Sequence, residues 1–462
     1  MAPLMTLSCL ALISAVVQGY AIPNMNQPSE RATADRNAKV LILGGGVAGI
    51  IAVRTLHEQG INNVVIIEAW DELGRRLKST TFVGKTVELG ANWVQGTQTG
   101  NGPKNPILSL VEKHKVKTMP SNTTGSITTY DHTGAVDFLD TFYSSAEAYE
   151  NLTATAGGRV SRNLVDLTSR AAFNLLGIRP QDARSKATEY YHFDWEYAQK
   201  LDQTSAIASS WANNYTFNAN EGGFSAENLL SIEQRGFKTF IQEEAMSFLK
   251  PEQIRLESLV KNISWSHSGV NVTLDNGESL IGDYAICTFS LGVLQNDDVK
   301  FIPSLPVYKQ ESIASTTMGT YTKIFMHFPY KFWFDTQMGL YADPVHGTYP
   351  VWQKFDHEAI LPGSKVMVAT VTGDFSERIE SLTDEQVKQE VMSVLAAMYP
   401  NITVPAPLEF MFPRWHSDPL YCGSYSNWPP SFVQQHHDNL RANVGRLYFA
   451  GEATSQKYFG EL

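Results

Sequence analysis

Cysteine is scarce: three occur in 462 residues, too few for a disulfide framework. Cys9 falls in the leading apolar run, so Cys287 and Cys422 allow one bridge at most. Basic side chains are outnumbered, 36 Lys and Arg against 47 Asp and Glu, for a net charge of −11. That balance argues against a nucleic-acid partner and suits either solubility or a cationic ligand. Past the first residues no apolar run is long enough for a stable membrane span. G-x-S-x-G and H-E-x-x-H are missing, as is any Cys/His cluster at metal-binding spacing, so no metal site is expected. His436 and His437 stand together in a polar stretch and are expected to be solvated rather than ligands. There is no internal repeat and no long low-complexity tract.

The apolar share, 43%, is enough to bury substantial cores, and the length suggests two or three domains. Residues 1–21 contain an uncharged run from Leu4 to Val17, followed by small residues at Gly19 and Ala21. This suits a cleavable secretory leader; with no basic residue before the run, an uncleaved anchor or a buried segment stays open. N-x-[ST] sequons at Asn122, Asn151, Asn214, Asn262, Asn271 and Asn401 agree with secretion.

The most informative stretch runs from Lys39 to Glu68. A short apolar strand, Val40 to Leu43, meets a glycine cluster; a helix-like run from Ile50 to Leu56 follows, then a strand from Val64 to Ile67. Gly44, Gly46 and Gly49 fit G-x-G-x-x-G, whose glycines allow a tight turn, close approach of a pyrophosphate and helix–strand packing. The helix N-terminus would face the anion, and Gly60 is placed to end the helix. Glu68 closes the second strand, where a carboxylate can take both hydroxyls of an adenosine ribose. A bare glycine motif is weak evidence, but here strand, helix and acidic residue all stand where a dinucleotide unit needs them.

Beyond Glu68 come Ala69-Trp70-Asp71-Glu72-Leu73-Gly74-Arg75-Arg76 and Glu88-Leu89-Gly90-Ala91-Asn92-Trp93. These resemble the E-A-x-x-x-x-G-G-R and E-x-G-A-N-W segments of the flavin-containing amine oxidase family, most closely the secreted polyamine oxidases of plants and fungi. The resemblance implies an α/β fold: a Rossmann-like, GR2-type FAD-binding domain with a second, α+β substrate domain on a mixed sheet. It implies non-covalent FAD, a small cationic amine and oxygen as partners, and hydride transfer to the flavin that yields aldehyde, amine and hydrogen peroxide. Gly90, Arg76, Val260 (through main-chain contact with the adenine) and Glu452 (at the ribityl chain) join Gly44, Gly46, Gly49 and Glu68 as expected cofactor residues.

Tyr190 to Tyr197 is similar to the family's Y-Y-x-F-D-Y-E-F segment. By that resemblance Glu196 meets the substrate cation, while Trp195 and Tyr197 wall the passage. Tyr425 matches one wall of an aromatic pair facing the flavin, a surface that attracts amine cations. Lys323, in Met318 to Phe325, matches the active-site lysine that holds a water at flavin N5. From the residues alone, the alternation of Tyr321 to His327 equally allows a lysine on the outer face of an amphipathic strand. The Ser161 to Leu176 stretch looks helical, and Tyr284 to Phe289 is apolar enough for a buried strand.

The domain scheme is residues 36–120, 231–302 and 414–462 for the FAD-binding domain and 121–230 and 303–413 for the substrate domain. Three departures stand out. Arg75 replaces the second glycine of the G-G-R segment, which predicts local strain if that position needs positive φ. Gln95 stands where the nearest relatives carry a second acidic residue, which predicts weaker polyamine affinity. At the end of the sequence Glu461 occupies an aromatic position, and the family's following helix, whose dipole supports negative charge on reduced flavin, is not reached; the third FAD segment thus reads as truncated. Two rivals remain: an L-amino-acid or other amine oxidase of the same superfamily, and a secreted FAD-binding remnant without turnover.

Overall fold

A computed structural model describes residues 35–460; the expected leader and Glu461 lie outside the described residues. Val40–Leu43 is buried at all four positions, as a strand covered on both faces must be. Alternation divides the four. Leu41 and Leu43 join Ala285, Cys287 and Leu447 in one core, while Val40 and Ile42 meet Ile50 and Val53 of helix Val47–Glu58 on the other side. The strand is the centre of a five-stranded sheet in the order Ile254–Arg255, Val64–Ile67, Val40–Leu43, Tyr284–Cys287, Leu447–Phe449. Every pairing is parallel. The chain leaves the central strand for one side and later returns on the other, so a crevice opens beyond the carboxyl ends at this switch point. Gly44, Glu68, Thr288 and Ala450 follow directly on four of the five strand ends.

A four-stranded sheet, Ser279–Gly282, Val270–Leu274, Val260–Trp265 and Lys300–Ile302, covers one face through Ile263, Val270 and Val272. A separate seven-stranded sheet runs Glu409–Met411, Tyr321–His327, Val366–Thr372, Val351–Lys354, Met338–Ala342, Ile127–Asp131, Gly134–Ala135. All its pairs are antiparallel except Met338–Ala342 with Ile127–Asp131. Helices Leu139–Ala156, Ala183–Glu189 and Ala206–Phe217 gather beside it. Between the last two, Tyr190–Asp194 winds as a π-helical turn and Ala198 takes a left-handed φ of 52°. The chain between, Trp195–Tyr197, is a single α-helical turn, set off by that π-turn, a feature frequent at functional sites.

Three sequence expectations need correction. Ser161 to Leu176 is not one helix: Asn163 turns left-handed at φ 53°, and Thr168 restarts Ser169–Leu175 by accepting from Ala171 N. The strand from Tyr284 stops at Cys287, because Thr288 bends away and its hydroxyl donates to Leu43 O. His437 is buried, not solvated; it packs against Trp428, with Nε2 3.0 Å from Thr454 O. Cys287 and Cys422 are both free, the first enclosed in the Leu41 core. No helix among the described residues is long and apolar enough to cross a membrane.

Candidate active site

At the crevice, Gly44 turns with φ 116° and its N–H is held by Ile67 O at 2.9 Å. A methyl group on Gly49 would lie 2.0 Å from Gly44 O, so the helix can pack this close to the strand only with glycine there. No side chain caps helix Val47–Glu58 at Gly46, and Gly46, Val47 and Ala48 line a large cavity. Bare first-turn amides, reinforced by the helix dipole, make that edge a cradle for an anion.

Glu68 is fully buried. Its carboxylate accepts from Gly45 N at 2.6 Å and Trp70 N at 3.0 Å and pairs with Arg75 Nε at 3.0 Å. Both oxygens therefore already serve the loop, although a carboxylate has lone pairs for further donors. Arg75 adopts φ 50°, so the strain expected from a side chain in a glycine's conformation is present. Arg76 turns the other way, its Nη1 donating to Glu452 Oε1 at 2.8 Å and to Ser424 O at 3.1 Å. Glu452 also accepts from Ser426 Oγ and Gly460 N. Arg76, Gly90 and Glu452 all border the large cavity. Val260 sits apart, in a smaller cavity with Ile67, Ser258 and Leu259; Arg75 lines both cavities.

Lys323 is interior: 3% exposed, on the strand Tyr321–His327 opposite Thr370. Its Nζ donates to Gly90 O at 2.6 Å, Asn92 Oδ1 at 2.8 Å and Glu88 O at 3.2 Å, and lies 5.3 Å from the centre of the Trp93 ring. Burial pushes its pKa down, and burial likewise pushes the neighbouring Glu88 carboxyl up. All three acceptors come from the segment Glu88 to Asn92. A charged Lys323 spends its three N–H bonds on them, whereas a neutral one has a lone pair to offer a water or substrate proton.

Glu196 stands among aromatic rings. Trp195 Nε1 donates to Tyr321 Oη at 2.6 Å, and Tyr425 Oη donates to the Glu196 backbone carbonyl at 2.8 Å. Trp93 meets Trp195 edge-on at 6.5 Å, and the rings of Tyr321 and Tyr425 lie 6.3 Å apart. Tyr197 Oη, 2.8 Å from Tyr149 Oη, donates to Ser209 O. The Glu196 carboxylate makes no hydrogen bond to the described residues, and burial pushes its pKa up to about 7. Gln95 lines the same cavity.

Trp195, Glu196, Tyr197, Tyr425, Gln95 and Lys323 thus converge with Gly46, Arg76, Gly90 and Glu452 on one cavity. Gly44 and Gly49 shape it from behind. Tyr149, Tyr321 and Asn92 also line it without having been singled out in the sequence. Asn92 and Tyr321 belong to the E-x-G-A-N-W and Met318 to Phe325 segments, but nothing local to helix Leu139–Ala156 marks Tyr149. No group of three metal-ligating side chains occurs among the described residues.

Comparison with known proteins places this arrangement. Residues 47–461 match the family described as flavin containing amine oxidoreductase. Polyamine oxidase 7 of Oryza sativa subsp. japonica is 33% identical over 96% of each chain. Polyamine oxidase 1 of Zea mays is 35% identical over 91% of this chain and 87% of that one. Among solved structures, a putrescine oxidase bound to putrescine superposes with a TM-score of 0.72 at 17% identity, covering 92% of this chain and 95% of the other; this likeness is one of fold. The family match runs from the helix that follows Gly46 through the later cavity-lining segments, and on that ground the chain belongs to the flavin-containing amine oxidoreductases and its cofactor is FAD.

Proposed function

We propose that this chain oxidises polyamines at a carbon next to nitrogen, releasing an aldehyde, a shorter amine and hydrogen peroxide. Support comes from the relatives named polyamine oxidase and, in the fold itself, from Glu196. That carboxylate, unpaired and ringed by Trp195, Tyr197, Tyr321 and Tyr425, is the observation that carries the reading. Aromatic faces and a desolvated carboxylate together favour an elongated cation over an anion. The two arginines that line the cavity, Arg75 and Arg76, lie against Glu68 and Glu452, which does not favour the carboxylate clamp that an amino-acid oxidase needs.

The residues present fit the cofactor. The uncapped helix start at Gly46 suits a diphosphate, Glu452 suits a hydroxylated chain, and the apolar pocket at Val260 suits an adenine. Bound FAD supplies the hydride acceptor and the route of electrons to oxygen. The protein orients and excludes water. Glu196 fixes one ammonium, Trp195 and Tyr425 limit the approach of the carbon chain, and Lys323, neutral when its proton has left, accepts a hydrogen bond or proton at Nζ. Gln95 keeps a neutral acceptor in the cavity, which supports a preference for less charged amines than a second carboxylate would give. Secretion is part of the same proposal: Asn122, Asn151 and Asn401 are exposed and open to glycan attachment.

Anaerobic mixing with spermine, spermidine, an acetylated polyamine and a simple monoamine tests this directly. Bleaching of the flavin is expected with the polyamines and much slower with the monoamine. A flavin that stays oxidised with every polyamine would end the proposal.

A further inference from the structure

Arg75 is a charged side chain that borders both cavities of the cofactor crevice, and the sequence resemblance assigns it no role. Its side chain is 10% exposed, yet among the described residues no hydrogen bond to its guanidinium is formed. Nε lies 3.0 Å from Glu68 Oε2 but is not aligned to donate. Nε is the buried donor left without an aligned acceptor, while Nη1 and Nη2 make no hydrogen bond to the described residues and stay open to a ligand. The location of the side chain says which. A methyl on Gly44 would come within 3.1 Å of Nη1, and one on Gly46 within 3.4 Å of Cδ, so the side chain lies along the glycine loop itself. It also divides the large cavity, which holds the uncapped helix start, from the apolar cavity at Val260. In a dinucleotide the diphosphate is the group that joins those two regions.

We propose that Arg75 is a diphosphate-binding residue of the FAD site, supplying a forked, charged donor beside the backbone amides of the glycine loop. Glu68 holds the shaft from behind by charge, which leaves Nη1 and Nη2 directed at the anion. The left-handed backbone at position 75 is then the local strain that this placement carries. Arg76, locked to Glu452 and Ser424, stays with the other end of the cofactor.

This inference rests on the flavin reading, and one experiment separates the two. Full-length protein is stripped of flavin and titrated with FAD and with riboflavin, which has no phosphate, at low and high salt. Native protein binds FAD with an affinity that falls as salt rises. Arg75→Gln and Arg75→Gly weaken FAD by about 10- to 100-fold, the loss expected for one or two charge-assisted hydrogen bonds. Their riboflavin affinity stays within about twofold of native and their FAD salt dependence flattens, while Arg75→Lys keeps part of the affinity. Arg75→Gly guards against misfolding, since glycine takes φ 50° without strain and its melting temperature should not fall. FAD binding as tight as or tighter than native in Arg75→Gly would make the side chain an obstacle and overturn the proposal. So would equal losses of FAD and riboflavin, which mark a structural defect. Native protein that binds neither flavin overturns the cofactor reading itself.

Discussion

Glu196 carries its charge at a cost that its surroundings do not repay. Burial alone lifts its pKa to about 7, with no donor offsetting the loss of hydration. Between the ordinary glutamate value and about 7, the folded protein holds a proton that the unfolded chain has released, so this residue's contribution to stability declines as pH rises through that window. An ammonium group reverses the preference, because it stabilises the ionised form. Affinity for a diamine therefore strengthens as pH rises through about 7, until the amine itself loses its charge. Glu196→Gln should remove that rise and increase KM for spermine by about 10- to 100-fold, the scale of a lost charge-assisted contact, with a smaller change for a monoamine. Steady-state pH profiles of both proteins check it; an unaltered profile in the variant would assign the titration elsewhere. The sequence motif marked Glu196 as the acidic residue of the passage. What it could not give is the absence of a partner, which depends on rings brought in from Trp93, Tyr321 and Tyr425, far away along the chain.

At the scale of elements, what the sequence disclosed was local. Val40–Leu43, the spacing of three glycines and the helix stop near Gly60 are written in consecutive residues, and the structure keeps them within a residue or two. Contacts that need the chain to fold back on itself were hidden: Arg75 on Glu68, His437 beneath Trp428, Tyr149 meeting Tyr197. Lys309 belongs with these. It is fully buried, lies 4.0 Å from the centre of the Phe449 ring, and donates to Leu440 O at 2.7 Å and to Ala442 O. Those carbonyls end helix Gln434–Arg441, where a cation also opposes the helix dipole. Burial pushes Lys309 down to about 7, so above that pH the folded state has shed a proton that the unfolded chain keeps. Its contribution to stability consequently grows as pH rises from about 7 towards the ordinary lysine range. Lys309→Met relieves the desolvation but leaves two carbonyls without a donor, and the second effect should win by about 1–3 kcal/mol. Denaturant melts at two pH values on either side of 8 test both parts: lower stability in the variant, and loss of the native rise.

Across the whole molecule, the cavity is assembled from stretches near residues 46, 76, 90, 196, 288, 323, 425 and 452, carried by the parallel sheet, the seven-stranded sheet and the helices between them. Cross-links already run between these parts without any ligand: Arg76 to Glu452, Lys323 to the segment from Glu88 to Asn92, Trp195 to Tyr321. A molecule that lies along this cavity touches every one of these stretches at once, so its binding energy is available only when they are all folded. FAD should therefore stabilise both sheets together rather than the glycine loop alone. At free FAD about 100 times its Kd the gain is ~2.7 kcal/mol, which for a chain of this size unfolding as one unit corresponds to a rise of roughly 3 °C in Tm. Scanning calorimetry of flavin-stripped protein with increasing FAD, read beside tryptophan fluorescence, distinguishes the cases. One transition moving upward in both signals is expected; a split in which Trp333 and Trp352, buried with the seven-stranded sheet, melt at an unmoved temperature would mean the cavity does not couple its two walls.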